Sequence, residues 1–383
     1  MIHSHCSFYG AVVAAFVVLS ATLALGQSIP AQPRTLRQAA DGRILIGAAI
    51  MSHHLDDPAL AKLIAEQFNC ITAENEMKPD SLEKTKGQFT FESADKIVAF
   101  AQAHDMKMIG HNLCWHEQTA PWMFTDQNKK PLPRDAALEN LREHIEAVVE
   151  HFKGKVKGWD VVNEAIGDSE PYLRDTPARR AIGDDFVIKA FQFAHEADPD
   201  AELYYNDYNI EAPYKRDKAL RLIRELKSAG VRIDGVGIQG HWLLETLNLK
   251  EVEEGIKTFA DEGLKVMITE LDIDPLPRQK GGAGADISAT ELEGLDPYKD
   301  RLPEDLQHKL AARYAELFRL FLKYPQTTRV TFWGTHDGTT WLNNWPVRGR
   351  TNHPLLWDRK LQPKPAFDAV LSALNLPLRD TAK

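Results

Sequence analysis

The sequence predicts an α/β protein, a single-domain (β/α)₈ TIM barrel whose active site lies at the C-terminal face of the strands. Short apolar runs rich in β-branched residues alternate with amphipathic stretches of helical period. Eight such pairs follow one another, and polar side chains cluster after most of the apolar runs. The alternation alone also fits a doubly wound open sheet, but no glycine-rich phosphate loop accompanies it.

The predicted strands are short apolar runs, and the predicted helices between them carry an apolar face over about three turns or more. The strands cover residues 44–49, 69–73, 107–113, 156–162, 202–205, 235–239, 265–271 and 329–333. The helices cover residues 57–68, 93–104, 136–151, 185–198, 215–229, 249–262, 303–323 and 365–374.

The ends of the chain predict its processing. Residues 1–26 contain no Lys, Arg, Asp or Glu, and their apolar run ends in small residues at Ala24 and Gly26, which is typical of a signal peptide cleaved near Gly26. A positively charged start is missing, so a membrane anchor stays open as an alternative. We expect an N-terminal segment over 27–40, one catalytic barrel over 41–377 and a tail over 378–383. The mature protein is then secreted or periplasmic, a monomer, and not attached to a membrane.

Composition narrows the class of partner. With 43% hydrophobic and 26% charged residues, the chain has the balance of a soluble globular protein. Its net charge of −9 disfavours nucleic acid as a ligand.

Beyond the predicted signal peptide the cysteines are Cys70 and Cys114, and strand alternation from Glu74 and His111 puts their side chains on opposite faces of the sheet. We therefore expect two free thiols.

Carboxylate, amide, imidazole and indole side chains follow seven of the predicted strands, and in a barrel these strand ends meet at one face. The candidate site residues, in strand order, are Glu74, Asn75, Lys78, His111, Trp115, Gln118, Asn163, Glu164, Asn206, Gln239, His241, Glu270, Asp272, Trp333 and Trp341.

Two of these carboxyl groups, Glu164 after the fourth strand and Glu270 on the seventh, have hydrogen-bonding neighbours. Burying a carboxylate costs several kcal/mol unless it is paired, so such residues serve a structural ion pair or function. The pair fits a glycosidase that divides acid/base and nucleophile work between two carboxyls. The alternative is a pair of buried salt bridges, with Lys78 or Arg350 as the cation.

A metal site is a further alternative, because histidines and aspartates follow several strands. The spacing argues against it, since no His-x-His pair, HExxH helix or cysteine cluster occurs. We expect no metal and no cofactor. The residues considered as ligands are His111, His116, His241, Asp207 and Asp272.

The tryptophans indicate the substrate. Sugar rings present apolar C–H faces that stack on indoles, and their hydroxyls bond to amide, imidazole and carboxylate groups. Trp115, Trp333 and Trp341 occur with such groups at the strand ends. The predicted ligand is therefore a carbohydrate.

From about residue 44 to residue 367 the chain resembles the family-10 glycoside hydrolases, whose known members are chiefly endo-β-1,4-xylanases. The resemblance is carried by motifs in a fixed order. These are ENEMK at 74–78, WHEQ at 115–118, WDVVNE at 159–164, YND at 205–207, IQGH at 238–241, ITELD at 268–272 and WLNNWP at 341–346.

The resemblance implies an endo-acting enzyme that cleaves internal linkages of xylan and xylo-oligosaccharides, with Glu164 as acid/base and Glu270 as nucleophile. It implies that Asn163 holds the sugar 2-hydroxyl, and that Asp272 orients His241 beside Glu270. The residues it places around the sugars are His111, Trp115, Gln239, Trp333 and Trp341 at the cleavage point, and Glu74, Asn75 and Lys78 at the next sugar. Gln118 and Asn206 join them as candidates by their strand-end positions.

We expect a retaining double displacement, in which the negative charge of Glu270 raises the pKa of Glu164 and keeps it protonated before attack. A related barrel enzyme acting mainly on another β-1,4-glycan is the alternative. A non-catalytic carbohydrate-binding barrel is disfavoured, since both glutamates are present. The chain departs from the family pattern in its longer loop at 275–303, which puts the tolerance for xylan side chains in doubt.

Overall fold

A computed structural model describes residues 1–2, 34–278 and 296–376, and its eight long strands close into a parallel barrel. Each barrel strand pairs with the next, and the last pairs with the first, with Leu45 opposite Arg329. This closure confirms the barrel and excludes the open sheet. The strands are β1 (Leu45–Ile50), β2 (Cys70–Ala73), β3 (Lys107–Cys114), β4 (Gly158–Asn163), β5 (Glu202–Asp207), β6 (Gly235–Ile238), β7 (Lys265–Asp274) and β8 (Thr327–Phe332).

A short additional strand, His241–Leu243, follows β6 after a break at Gly240. Gly240 has a φ of 84°, a left-handed conformation that glycine adopts without strain. The short strand pairs with the outer end of β7, where His241 is opposite Asp272. The break therefore delivers His241 to the rim of the barrel, beside the strand that carries Glu270.

Every predicted helix is present with its ends within two residues of the prediction. Three short helices, α1, α3 and α6, were not predicted, because four to six residues carry too little periodicity. The helices are α1 (Leu36–Ala40), α2 (Pro58–Gln67), α3 (Pro79–Leu82), α4 (Glu92–Ala103), α5 (Arg134–His151), α6 (Pro177–Ile182), α7 (Phe186–Ala197), α8 (Pro213–Ser228), α9 (Leu249–Asp261), α10 (Glu304–Lys323) and α11 (Pro365–Asn375).

Most of the apolar core lies between the strands and the surrounding helices, and a smaller apolar layer fills the barrel itself. That inner layer consists of Cys70, Ile109, Tyr204 and Met267. Helix α1, which falls within the predicted N-terminal segment, buries Leu36, Ala39 and Ala40 and packs against α11. The first and last helices of the described chain are thus neighbours on the barrel.

Cys70 and Cys114 are free thiols, as predicted, and both are buried. Cys70 belongs to the inner layer and Cys114 to the core outside the barrel, so their side chains lie on opposite faces of the sheet. Burial raises the pKa of the Cys70 thiol to about 11 and that of Cys114 to about 12. Both are therefore thiols at neutral pH, the unreactive form.

Several predictions concern residues that the structure does not describe. Nearly all of the predicted signal peptide, the whole tail at 378–383 and the middle of the loop at 275–303 lie outside the described residues. Cleavage near Gly26 and export therefore stay predictions. Among the described residues, no helix is both long and apolar enough to cross a membrane.

Candidate active site

A cavity of about 380 Å³ opens at the carboxyl ends of the barrel strands. It contains almost all of the predicted site residues, which come from seven different strands or the loops after them. The lining residues are Met51, Glu74, Asn75, Lys78, His111, Trp115, Gln118, Asn163, Glu164, Gln239, His241, Glu270, Trp333, Thr339, Thr340, Trp341, Asn344 and Trp345.

Two predicted residues, Asn206 and Asp272, lie behind this lining. Asn206 is completely buried, and its Nδ2 donates to Glu270 Oε1 at 2.8 Å, while its Oδ1 accepts from Thr269 at 2.6 Å. The same Nδ2 lies 2.8 Å from Oδ1 of Asn163. Asn206 was predicted to bind substrate, but its position is that of a brace between the catalytic candidates of β4 and β7.

Glu164 follows the last residue of β4 and has a φ of 57°. A left-handed backbone is costly for a residue with a side chain, and such strain is concentrated at functional sites. The backbone N–H of Glu164 donates to the Asn206 carbonyl at 2.9 Å, which holds this conformation. The turn directs the carboxyl group into the cavity.

The Glu164 carboxyl accepts hydrogen bonds from Trp115 Nε1 at 3.0 Å and from Gln239 Nε2 at 2.8 Å. Burial raises its pKa above the usual value, and this effect outweighs the two hydrogen bonds, which favour the ionised form. The charge of Glu270 raises the pKa further, but less than burial does. The predicted direction is confirmed, although its main cause is desolvation.

Glu270 lies within β7 and has the opposite electrostatic environment. Burial alone would raise its pKa, but the hydrogen bond with His241, at 3.1 Å, and the electrostatic interactions with His111 and His241 lower it below the usual value. The hydrogen bond from Asn206 acts in the same direction. Glu270 is therefore a buried carboxylate that stays ionised.

His241 connects Glu270 to a second carboxylate. Its Nδ1 lies 3.0 Å from Asp272 Oδ1, on the far side of the ring from Glu270. Burial lowers the pKa of His241, but the charges of Asp272 and Glu270 outweigh it and raise the pKa to about 10. The other oxygen of Asp272 accepts from Trp341 Nε1 at 2.7 Å. A positively charged imidazole thus lies between two carboxylates, anchored to a wall of the cavity.

Lys78 organises a polar corner beside Glu164. Its Nζ lies 3.0 Å from Asn75 Oδ1 and 2.7 Å from Gln118 Oε1, and 4.9 Å from the centre of the Trp115 ring. Burial raises the pKa of neighbouring Glu74 to about 7, against the opposing charge of Lys78. This corner offers amide, ammonium and carboxyl groups, the partners that sugar hydroxyls require.

An aromatic wall faces the polar corner. The rings of Trp341 and Trp345 are stacked with centres 4.5 Å apart, and His241 lies 4.9 Å from Trp341. Trp333 makes an edge contact with His111, with centres 5.3 Å apart. The wall is apolar and fixed by its own packing, which suits the C–H face of a sugar.

Two of the residues considered as metal ligands form ion pairs with different partners. His111 pairs with Asp160 at 2.9 Å, and Asp207 pairs with Lys215 at 2.8 Å. Among the residues that the structure describes, no cluster of three or more His, Cys, Asp or Glu side chains could hold a metal ion. As for the salt-bridge alternative, the hydrogen-bond donors to Glu164 are neutral, and Lys78 bonds to amides.

Sequence reasoning missed part of the lining, namely Met51, Thr339, Thr340, Asn344 and Trp345. Trp345 could have been found, because it belongs to the same WLNNWP motif as Trp341. The threonines and Met51 occur in loops without a chemical pattern. Their place in the site depends on how the loops after β1 and β8 fold.

The surroundings of the two carboxyl groups favour different protonation states. Glu164 has its pKa raised and Glu270 has its pKa lowered, although both are buried in one cavity. Carboxyl groups with opposed shifts can act as a proton donor and as an anionic nucleophile or stabiliser. The polar corner and the aromatic wall fit a carbohydrate between them.

The chain is similar to known proteins in sequence and in structure. Residues 35–373 match the family described as Glycosyl hydrolase family 10. The chain is 42% identical to an endo-1,4-beta-xylanase A of Xylanibacter ruminicola over 88% of this chain and 92% of that protein. It is 41% identical to a beta-1,4-xylanase of Dictyoglomus thermophilum, over 90% and 91%. A solved endoxylanase from a sugarcane soil metagenome superposes with a TM-score of 0.83 at 39% identity, over 89% of this chain and 100% of that one.

Proposed function

The chain belongs to glycosyl hydrolase family 10, and on that premise we propose that it is an endo-1,4-β-xylanase that retains configuration. The substrate is xylan and its oligosaccharides, cleaved at internal linkages. One observation carries the proposal: two buried carboxyls with opposed pKa shifts, Glu164 and Glu270, share a cavity lined by amides and indoles.

In the first step, Glu270 attacks the anomeric carbon as a carboxylate, and the bond from that carbon to the glycosidic oxygen breaks. Glu164 gives its proton to that oxygen, so the leaving sugar departs with a hydroxyl group. The product is a xylosyl ester of Glu270. Its lowered pKa supports Glu270 in this role, because the nucleophile must be ionised.

In the second step, water attacks the same carbon and gives a proton to Glu164, which is now ionised. The ester bond breaks and Glu270 leaves as a carboxylate. Esterification removes the negative charge of Glu270, which adds to the effect of burial in raising the pKa of Glu164, so Glu164 is more readily ionised and available to accept that proton. His241, positively charged and fixed by Asp272, favours the departing carboxylate.

Substrate choice is the first testable expectation. Xylose lacks the exocyclic hydroxymethyl group of glucose, and the bulky side chains of Trp333 and Trp341 line the cavity that would have to accept this group. We expect kcat/KM for xylan to exceed that for a soluble β-1,4-glucan by about tenfold or more, since a misfitting carbon group costs roughly 1–3 kcal/mol. Reducing-sugar release from both polymers measures this.

Proton NMR of the earliest product tests the stereochemistry in the same reactions. The β-anomer is expected to appear first and then to mutarotate. Faster cleavage of the glucan would support the alternative substrate. A first product with the α-configuration would contradict the retaining mechanism.

The pH profile is the second expectation. Glu270 must be ionised and has a lowered pKa, so the acid limb of kcat/KM lies below the usual glutamate range. Glu164 must be protonated and has a raised pKa, so the alkaline limb lies above that range. Trp115→Phe removes a donor to the ionised form of Glu164. It should move the alkaline limb upward by about one to two pH units, since such a bond contributes about 1.5–3 kcal/mol.

The acid limb is the internal control for Trp115→Phe, because the indole N–H bonds to Glu164 and not to Glu270. It should stay in place while the rate falls through weaker sugar binding. A downward move of the alkaline limb, or an equal move of both limbs, would show that Glu164 is not the acid.

A further inference from the structure

The opposite end of the barrel contains a second cavity, of about 260 Å³, at the amino ends of the strands. Five cationic side chains and one carboxylate, Glu202, are among its described lining residues. The chain as a whole has a net charge of −9, so this concentration of positive charge is local. The cations are Arg43, Lys107, Lys157, Lys265 and Arg329.

Arg329 is the buried member of this set, with 2% of its surface exposed. It lies in β8 opposite Leu45 of β1, and its Nη1 donates to Thr331 Oγ1 at 3.0 Å. Within the described residues, its Nη2 has no hydrogen-bond partner, and no carboxylate lies within 4.0 Å of its guanidinium. A buried cation in this state is costly unless an anion compensates it.

Glu202 cannot supply that compensation. Its carboxylate forms ion pairs with Lys157 and, at 2.9 Å, with Lys265, and it accepts from the Tyr204 hydroxyl at 2.8 Å. Its single negative charge is therefore shared by two lysines. Of the other three cations, Arg43 donates to the backbone carbonyl of Ala39 at 2.8 Å. Arg329 and Lys107 remain as positive charge at the cavity.

The floor of the cavity strengthens any charge interaction above it. Tyr204, Met267 and Ile109 of the inner apolar layer lie next to it, and the Tyr204 ring centre is 5.9 Å from the Arg329 guanidinium. Such a surface lowers the local dielectric constant on one side. Lys107, by contrast, is exposed at the rim of the cavity.

We propose that this cavity binds a small oxyanion of the phosphate class, which Arg329 holds through its guanidinium and Lys107 and Lys265 hold from the rim. A guanidinium presents paired donors that match a tetrahedral oxyanion, and a dianion balances the surplus charge better than a monovalent ion. The anion connects β8 at the closing seam of the barrel with β3 and β7. It stabilises the fold and takes no part in hydrolysis at the other end.

The test measures thermal unfolding of the full chain against inorganic phosphate, with sodium chloride keeping the ionic strength constant, and phosphate affinity by calorimetry. The unfolding midpoint should rise with phosphate, as expected when a ligand binds the folded state. Arg329→Met should weaken the affinity by at least about tenfold, since it removes the charge-assisted hydrogen bonds of the guanidinium to the anion. Arg319→Met, the same change at an exposed position of α10, should behave as the unchanged protein.

Two outcomes would overturn the site. One is a phosphate affinity of Arg329→Met within twofold of the unchanged protein. The other is a midpoint that responds to phosphate no more than to chloride at equal ionic strength, which is the signature of screening. A parallel titration with a sugar phosphate shows whether the bound phosphate is a free ion or part of a larger molecule. If the sugar phosphate binds more tightly than inorganic phosphate, the ligand of the cavity is a phosphorylated metabolite.

Arg329→Met should fold, because it removes an uncompensated buried charge, and its midpoint in chloride should equal or exceed that of the unchanged protein. If it fails to fold, Lys107→Met tests the same site from the exposed rim. That variant is expected to bind phosphate several-fold more weakly. Unaltered phosphate affinity in Lys107→Met would then refute the site.

Discussion

Glu270→Ala is expected to abolish hydrolysis of unactivated xylan, with kcat/KM falling roughly 10⁵–10⁶-fold, the scale seen when a covalent nucleophile is removed. The reason is that the groups beside Glu270 cannot replace it: Asp272 lies behind His241, and Asn206 is neutral and completely buried. Reducing-sugar release at matched protein concentration measures the loss. Glu270→Gln should behave alike, because it keeps the shape and removes the charge.

Azide supplies a sharper readout for Glu270→Ala. A small anionic nucleophile can occupy the space of the lost side chain and attack a substrate with a good leaving group, giving a glycosyl azide of inverted configuration. Glu76→Gln is the matched control, since its carboxylate is nearby but accepts from the backbone of Ser52 and does not line the cavity. Turnover of xylan by Glu270→Ala within tenfold of normal would refute the nucleophile.

Glu164→Ala is expected to affect the two chemical steps differently, depending on the leaving group of the substrate. Cleavage of xylan should fall by about 10²–10⁴-fold, the usual contribution of a general acid. An aryl xylobioside with an acidic phenol needs no proton, so its first step should be nearly unchanged. The second step loses its base, and the xylosyl ester of Glu270 should accumulate. A burst of phenol followed by slow turnover, with the ester detected by mass spectrometry, is the expected result.

The alkaline limb of the pH profile provides the control for Glu164→Ala, because it should disappear along with the acid while the acid limb of Glu270 remains. Equal losses on xylan and on the aryl substrate would contradict the assignment. So would an unchanged alkaline limb.

The barrel could be predicted because period and length separate strands from helices along the whole chain. The prediction was weakest for β7, which continues to Asp274, three residues past the predicted end. Its extension pairs with the short strand at His241, and that pairing depends on the break at Gly240. Local periodicity does not predict a contact between segments that are far apart in the sequence.

The sequence predicts which strand ends contribute residues to the candidate site. It does not show which of these residues line the cavity and which lie beneath it. Asn206 lies one residue before the end of β5 and pairs in register with Asn163, the last residue of β4. Only the closed barrel shows that it lies beneath the cavity, where it contacts Glu270. Likewise, the direction of the Glu164 pKa shift followed from a neighbouring charge, whereas its main cause, burial, needs the full structure.

Met51, just past the first strand, and Trp333, just past the last, line the same cavity, and the pairing of Leu45 with Arg329 brings them together. The catalytic pocket is therefore incomplete until the sheet closes on itself. Contacts of such long sequence separation form late and slowly in folding. The rate at which sugar-releasing activity recovers during refolding therefore reports how fast the barrel closes. During synthesis, the catalytic pocket cannot be complete until the chain has been translated as far as Trp345.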